Sequence, residues 1–490
     1  MANESTQLVV LGAGPGGYAA AFYAADMGMQ VALVDEEKNP GGVCLYRGCI
    51  PSKALLHVAK VIDEAKHAAS LGVAFAEPKI DLDKLRAFKQ SVVDKLTGGV
   101  GQVAKLRKVK FYQGRATLTG PASMRIAGAD GTTTDLTFEN CILATGSSPT
   151  KIPSLSLDTP RMMDSTSGLD LPDIPKTMLV IGGGYIGLEL GTVYATLGTK
   201  VSVVEMTPTL LPGADRDLVN ILEKRVKGLF ANIMTSTKVV KVEEVKNGIT
   251  VTFEKAPDGS DGASASAKAT PDKSALSTET FDRVLVAIGR RPNSKIPGLE
   301  TTKVKVDAKG FIETDPQRRT AEPSIFAIGD VAGEPMLAHK ASHEARVAVE
   351  AIAGHKAVFE PQAIPAVVFT DPEIAWCGLT EAQAKEQNLE VEVAKFPWGA
   401  LSRAITVDRP DGLTKLVLEK STGRVLGVGI SGSGAGELIA EGVLAIEMGA
   451  SAEDLKMVIH PHPTLSESVM ESAEVFFGQS THVYKPKKKT

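Results

Sequence analysis

At 490 residues, with 43% hydrophobic and 23% charged side chains, the chain has the composition of a folded protein with room for two to four domains. A formal net charge of −4 leaves no overall positive field of the kind that attracts nucleic acid, and no apolar run is long enough to span a bilayer. Met1 to Gln7 is short and polar with no signal-peptide core, and four cysteines are too few for a disulfide scaffold, so the expected compartment is the cytoplasm.

The first pattern is an apolar run, LVVL at 8–11, followed by GAGPGG, an Ala-rich stretch to Met27, a second apolar run at 31–34, and Asp35. This order reads as strand, glycine turn, helix, strand, acid. The first glycine (Gly12) permits a tight turn, the second (Gly14) lets a pyrophosphate approach the backbone, and the third (Gly17) allows close helix–strand packing. The helix start offers unpaired N–H groups to phosphates, and the Asp35 carboxylate can accept from ribose hydroxyls.

Next comes GGVCLYRGCIPSK at 41–53, which holds Cys44 and Cys49. A helical stretch near 80–109 and a hairpin-like region near 127–138 follow, then CILATGSSP at 141–149, read as a buried strand ending in a turn where the chain crosses between domains. The nucleotide pattern then repeats: MLVI at 178–181, GGGYIG with Gly182, Gly184 and Gly187, a helix, VSVV at 201–204, and Glu205 at the same distance past its first glycine as Asp35 is past Gly12. Two such units predict two dinucleotide sites. Glu205 would bond a ribose 2′-hydroxyl and repel a 2′-phosphate, and Met206, Thr207 and Pro208 supply no Arg to welcome one, so the second site favours NAD over NADP.

Residues 257–280 lack large apolar side chains and read as a mobile surface loop inserted between two strands of the second unit. VLVAIGRRPN at 284–293 and SIFAIGDVAG at 324–333 follow, and PMLAHKASHEA opens a helix near Ala338. Beyond about 354, a strand, a Ser-Thr-Gly turn and a second strand form a hairpin signature, and helical stretches follow. The expected fold is α/β: two Rossmann-like dinucleotide-binding domains plus a C-terminal α+β domain. The expected divisions are 1–149, 150–281, 282–353 and 354–490. The Lys-rich end, Lys485 to Lys489, reads as a solvated tail.

The close cysteine pair could ligate a metal, staple the chain or carry chemistry. Zinc wants about four ligands, and a plant-type iron–sulfur site wants a third cysteine where Ser52 stands. In an ideal helix, residues five apart have Cα atoms about 8–9 Å apart, whereas a disulfide usually needs roughly 4.4–6.8 Å. A bridge would therefore require a distorted helix, which Gly48 and Pro51 would fit, and a strained short bridge suits catalysis better than stabilisation. Cys141 and Cys377 sit in apolar, strand-like contexts and read as buried and inert.

GAGPGG, the cysteine segment, ATGSSP, GGGYIGLE, AIGRRPN, FAIGDVAG, MLAHKASHE and HPHPTLSES occur in this order along nearly the whole chain. Together they resemble the FAD-dependent pyridine nucleotide-disulfide oxidoreductases, and GCIPSKALLH with HPTLSE is most similar to their dihydrolipoamide dehydrogenase branch. The resemblance implies FAD held through Gly12, Gly14, Gly17 and Asp35, with Thr145 and Gly146 near the flavin and Asp330 on its ribityl–phosphate part. It implies Lys53 beside the flavin and paired with Glu189, and a helix from Ala338 aimed at the ring. NAD is implied at Gly182, Gly184, Gly187, Glu205 and Gly289. A Cys44–Cys49 redox disulfide is implied, with Cys44 meeting substrate and Cys49 meeting the flavin. His462 is implied as base with Glu467 orienting it, rather than His460. The C-terminal domain is implied to form a homodimer in which His462 reaches the other subunit's cysteines. The implied partners are a lipoyl domain, from an acyltransferase or a glycine cleavage carrier protein, and the core of a 2-oxoacid dehydrogenase complex.

Some positions depart from the family's common pattern. Asp35 stands where Glu is usual, Pro461 where Ala is frequent, and Tyr46, which carries no evident role, where Asn is frequent. Glutathione reductase is the nearest rival and would favour NADP. Mercuric reductase would add a C-terminal cysteine pair, yet no cysteine follows Cys377. A scaffolding subunit would have no need of a complete redox site.

Overall fold

The computed structural model describes residues 2–255 and 276–484. Most of the 257–280 segment and the Lys-rich end lie outside the described residues; 276–280 do not, and they form part of a paired strand, Leu276–Phe281, rather than a loop.

Of the five sheets among the described residues, the three largest organise the chain. In the first, Val31–Asp35 and residues 140–143 flank Leu8–Leu11 in parallel, and Ile325–Ala327 adds beyond them. Side chains from these strands alternate between two cores. Val9, Leu11, Ala32 and Val34 face the antiparallel meander Lys110–Gly120, Ser123–Gly128, Thr133–Leu143. Leu8, Val10, Val31 and Leu33 face the helices Pro15–Asp26 and Ala338–Ile352. A sheet covered on both faces explains the unbroken apolar runs. Each fully buried Leu or Val there stabilises by roughly 1.5–3 kcal/mol relative to exposure.

The second sheet is all parallel, in the order Asn232–Met234, Lys200–Val204, Thr177–Ile181, Arg283–Val286, Met162–Met163. Arg283–Val286 therefore completes the second unit, and the division expected at 281/282 falls one strand too early. The apolar VLV run gave no sign of which sheet it would join. Between the units, Arg290–Pro292 pairs antiparallel with Ser147–Pro149, so the two crossing segments run side by side. The third sheet is antiparallel and includes the expected hairpin, Leu413–Glu419 with Val425–Gly432. The helix Glu467–Phe477 packs on it through Val469, Ala473 and Val475.

Candidate active site

Each glycine loop turns where only glycine fits. Gly12 and Gly182 have φ of +98° and +110°, and a Cβ on either would clash with the carbonyl of Ala144 or Ala287. Gly17 and Gly187 leave no room for a Cβ against the carbonyls of Gly12 and Gly182. The helices Pro15–Asp26 and Tyr185–Thr196 start at Gly14 and Gly184 with no side-chain cap, so their first N–H groups are available to phosphate. The acids brace the loops. Asp35 Oδ2 accepts from Ala13 N at 2.6 Å, and Glu205 Oε2 accepts from Gly183 N at 2.7 Å. Burial raises the Asp35 carboxyl, with the Ala13 bond opposing.

A cavity of about 800 Å³ runs from the first loop to the cysteines. Gly12, Gly14 and Asp35 line it, as do Thr145, Gly146, Asp330 and Ala338. Asp330 accepts from Ser147 Oγ, which in turn accepts from Arg290 Nε at 2.7 Å. Thr145 and Asn293 exchange hydrogen bonds of 2.9 and 3.0 Å, joining the ATGSSP and GRRPN phrases. Ser147, Arg290 and Tyr185 line this cavity too and were not singled out from sequence. Gly17 and the second loop's Gly182, Gly184, Gly187 and Glu205 are not among its lining residues, nor is Gly289, whose carbonyl accepts from Thr150 N at 3.0 Å. Uncapped N–H donors and a glycine-rich lining with polar groups such as Asp35, Ser147 and Asp330, shared with the cysteines, fit the FAD expected for the first unit.

The cysteine segment is not one distorted helix but two. Gly42–Arg47 ends at Gly48, with φ −142° and ψ −113°, and a new helix starts at Cys49. A Cβ on Gly48 would lie 2.9 Å from Val43 O. Pro51 sits in the new helix's first turn, where its missing N–H costs nothing. The break turns the two sulfurs toward each other. Both are free thiols, and Cys44 donates to Cys49. That bond, aided by the Lys53 charge, holds the Cys49 thiol down at about 7, while burial and Glu189 oppose it. The same bond and burial push the Cys44 thiol up. Cys141 and Cys377 are buried in strands, with burial pushing the Cys377 thiol up to about 12.

Lys53 Nζ donates to Glu189 Oε2 at 2.8 Å, and Ser52 Oγ donates to the same oxygen at 3.0 Å. Glu189 is 3% exposed. Tyr46 acts on the backbone. Its hydroxyl bonds both the N–H and the carbonyl of Asn39 at 3.1 Å, fastening the approach to the cysteine segment.

His462 and Glu467 do not line the cavity. His462 Nδ1 bonds Glu467 Oε1 at 2.8 Å, and its side chain is 63% exposed. Burial opposes ionisation of Glu467, but the Thr464 N–H and His462 outweigh it and keep the carboxyl below its usual range. His460 differs: both ring nitrogens are engaged, by Val458 O and Glu441, and its side chain is 5% exposed.

No helix among the described residues is long and apolar enough to cross a membrane. The sequence pattern of the pyridine nucleotide-disulphide oxidoreductases matches residues 6–345, and that of the same family's dimerisation domain matches 364–473, as expected for a homodimer. The chain is 50% identical over 483 residues to a dihydrolipoyl dehydrogenase of Vibrio cholerae, covering 99% of this chain and 98% of the relative. It is 45% identical to one of Geobacillus stearothermophilus, covering 98% and 97%. Among solved structures, LpdA of Mycobacterium tuberculosis superposes with a TM-score of 0.86 at 26% identity, covering 96% of this chain and 99% of that one. The flavoprotein disulfide reductase RclA of Escherichia coli superposes with a TM-score of 0.82 at 25% identity, with the same coverage. The chain belongs to the pyridine nucleotide-disulphide oxidoreductases, within them to the dihydrolipoyl dehydrogenases, and its cofactors are FAD and NAD(H).

Proposed function

We propose that this protein oxidises dihydrolipoamide carried on a lipoyl domain, reducing NAD⁺, with the Cys44–Cys49 pair as the disulfide relay. The observation that carries the reading is the facing thiol pair at the cavity wall, with Cys49 the more acidic thiol and Lys53–Glu189 beside it.

The roles divide as follows. With the pair oxidised, His462 takes a proton from one substrate thiol, and the carboxylate of Glu467 fixes the ring through Nδ1 so that Nε2 faces the thiol. The substrate thiolate attacks Cys44 Sγ, breaking the Cys44–Cys49 bond and leaving Cys49 as a thiolate. The second substrate thiol then displaces Cys44, which takes up a proton, and lipoamide leaves. FAD, when bound beside Cys49, would supply the two-electron acceptor, and NAD⁺ the final hydride acceptor; on the protein's side the Cys44 thiol gives up its proton as its sulfur closes again on Cys49. Gly12, Gly14, Gly17, Asp35, Thr145, Gly146, Asp330 and Ala338 would hold FAD. Gly182, Gly184, Gly187, Glu205 and Gly289 would hold NAD. The exposure of His462 away from its own chain's cavity supports a site shared across the dimer, with the base serving the other subunit's cysteines. The partner this chemistry calls for is a lipoyl domain, of an acyltransferase or of a glycine cleavage carrier protein, in the cytoplasm, and the core of a 2-oxoacid dehydrogenase complex would hold the two together.

Steady-state kinetics test the reading. Dihydrolipoamide and NAD⁺ should give parallel-line, ping-pong patterns. Preference for NADPH and glutathione disulfide would establish the glutathione reductase reading instead.

A further inference from the structure

Glu189 receives hydrogen bonds from two parts of the chain. Its Oε2 takes Ser52 and Lys53 from the cysteine helix, and its Oε1 takes the backbone N–H of Phe369 at 3.0 Å. Phe369 directly follows the strand Ala366–Val368 of the C-terminal sheet, so that sheet reaches the flavin-side lysine. The Phe369 ring also lies 4.4 Å from Lys53 Nζ, on the ammonium that the carboxylate holds from another side. A second cavity, about 220 Å³, has both Lys53 and Phe369 in its wall. Without the ring, the ammonium could swing into that space.

We infer that Phe369 is a positioning residue: its ring and N–H hold Lys53 and Glu189 in place beside the cysteine helix, so the dimerisation domain helps set the relay's reactivity. This rests on the proposed role of Cys49 as the relay thiolate. The ring face attracts a cation, and the attraction grows when water is excluded. The N–H fixes one carboxylate oxygen, leaving the other for Lys53 and Ser52. Cys49 is faced by Cys44, Lys53 and Glu189, with Tyr18 and Tyr185 also within electrostatic reach. Of these, Lys53 is the cation that favours the thiolate.

The test follows Cys49 alone in reduced holoenzyme carrying Cys44→Ala, which removes the hydrogen bond that otherwise dominates its ionisation. Iodoacetamide alkylation of Cys49 is measured against pH by peptide mass mapping; Cys141 and Cys377 are buried and should stay silent. Phe369→Leu should move the alkylation midpoint up by roughly half a unit to one unit. Phe369→Tyr, which keeps the ring, should restore it, and Phe369→Leu should add nothing in a Lys53→Met background. If Phe369→Leu does not retain FAD, Phe369→Met serves as the second variant with the same expectation. An unchanged midpoint in Phe369→Leu or Phe369→Met overturns the inference, whether or not Lys53→Met shifts it. The relay itself is judged separately, by NAD⁺ reduction in Cys49→Ser.

Discussion

Single residues decide which of two similar groups does the chemistry. The sequence offers His460 and His462 in one short phrase, and only the carboxylate at 467 favours the second. The fold adds what spacing could not: Glu441, distant in the chain, engages His460, leaving His462 as the exposed ring. Replacing His462 with Gln should lower dihydrolipoamide turnover by roughly 10²–10⁴-fold, with FAD content unchanged; full turnover would remove it as the base. Tyr46 was opaque in the sequence because its partner is a backbone, not a side chain. Tyr46→Phe should lower unfolding free energy by about 1 kcal/mol in a denaturant titration while leaving kcat as it was.

At the scale of elements, the two glycine loops were legible because glycine, strand and acid must stand in one order to bind a dinucleotide. The break in the cysteine segment was only half legible. Gly48 and Pro51 signalled a distortion, but local spacing could not say that one helix would end and another begin between the thiols. Gly48→Ala should test that geometry. The added methyl would press on Val43 O and Cys44, costing about 1–3 kcal/mol, and should slow re-formation of the disulfide more than it weakens FAD binding. Equal re-oxidation rates in variant and parent would count against the break as the device that pairs the sulfurs.

At the scale of the whole molecule, the second nucleotide unit is fastened to the C-terminal sheet by charge. Lys415 is 1% exposed, and its ammonium lies 2.6 Å from Asp215, 2.9 Å from Asp217 and 2.6 Å from Glu381; Lys395 adds bonds to the last two. Nothing local in the sequence could announce this cluster, because its members come from four separate stretches of the chain. Lys415→Met would leave the partly exposed carboxylates with Lys395 as the neighbouring cation and should destabilise the protein by about 1–3 kcal/mol. Burial opposes ionisation of Asp217 and Glu381, but the two lysines outweigh it and lower both carboxyls. Their stabilisation is therefore present above the unfolded carboxyl pKa and lost as pH falls through the depressed folded values, so the parent should lose Tm on acidification more steeply than Lys415→Met. The proposed relay would span all three units, since the cysteines and the first glycine loop lie in the first, the second glycine loop in the second, and His462 in the C-terminal one. The most direct test is the NAD⁺-dependent oxidation of dihydrolipoamide by Cys49→Ser holoenzyme. FAD should stay bound and turnover should be abolished; turnover at the parent rate would rule out Cys49 as the relay thiol.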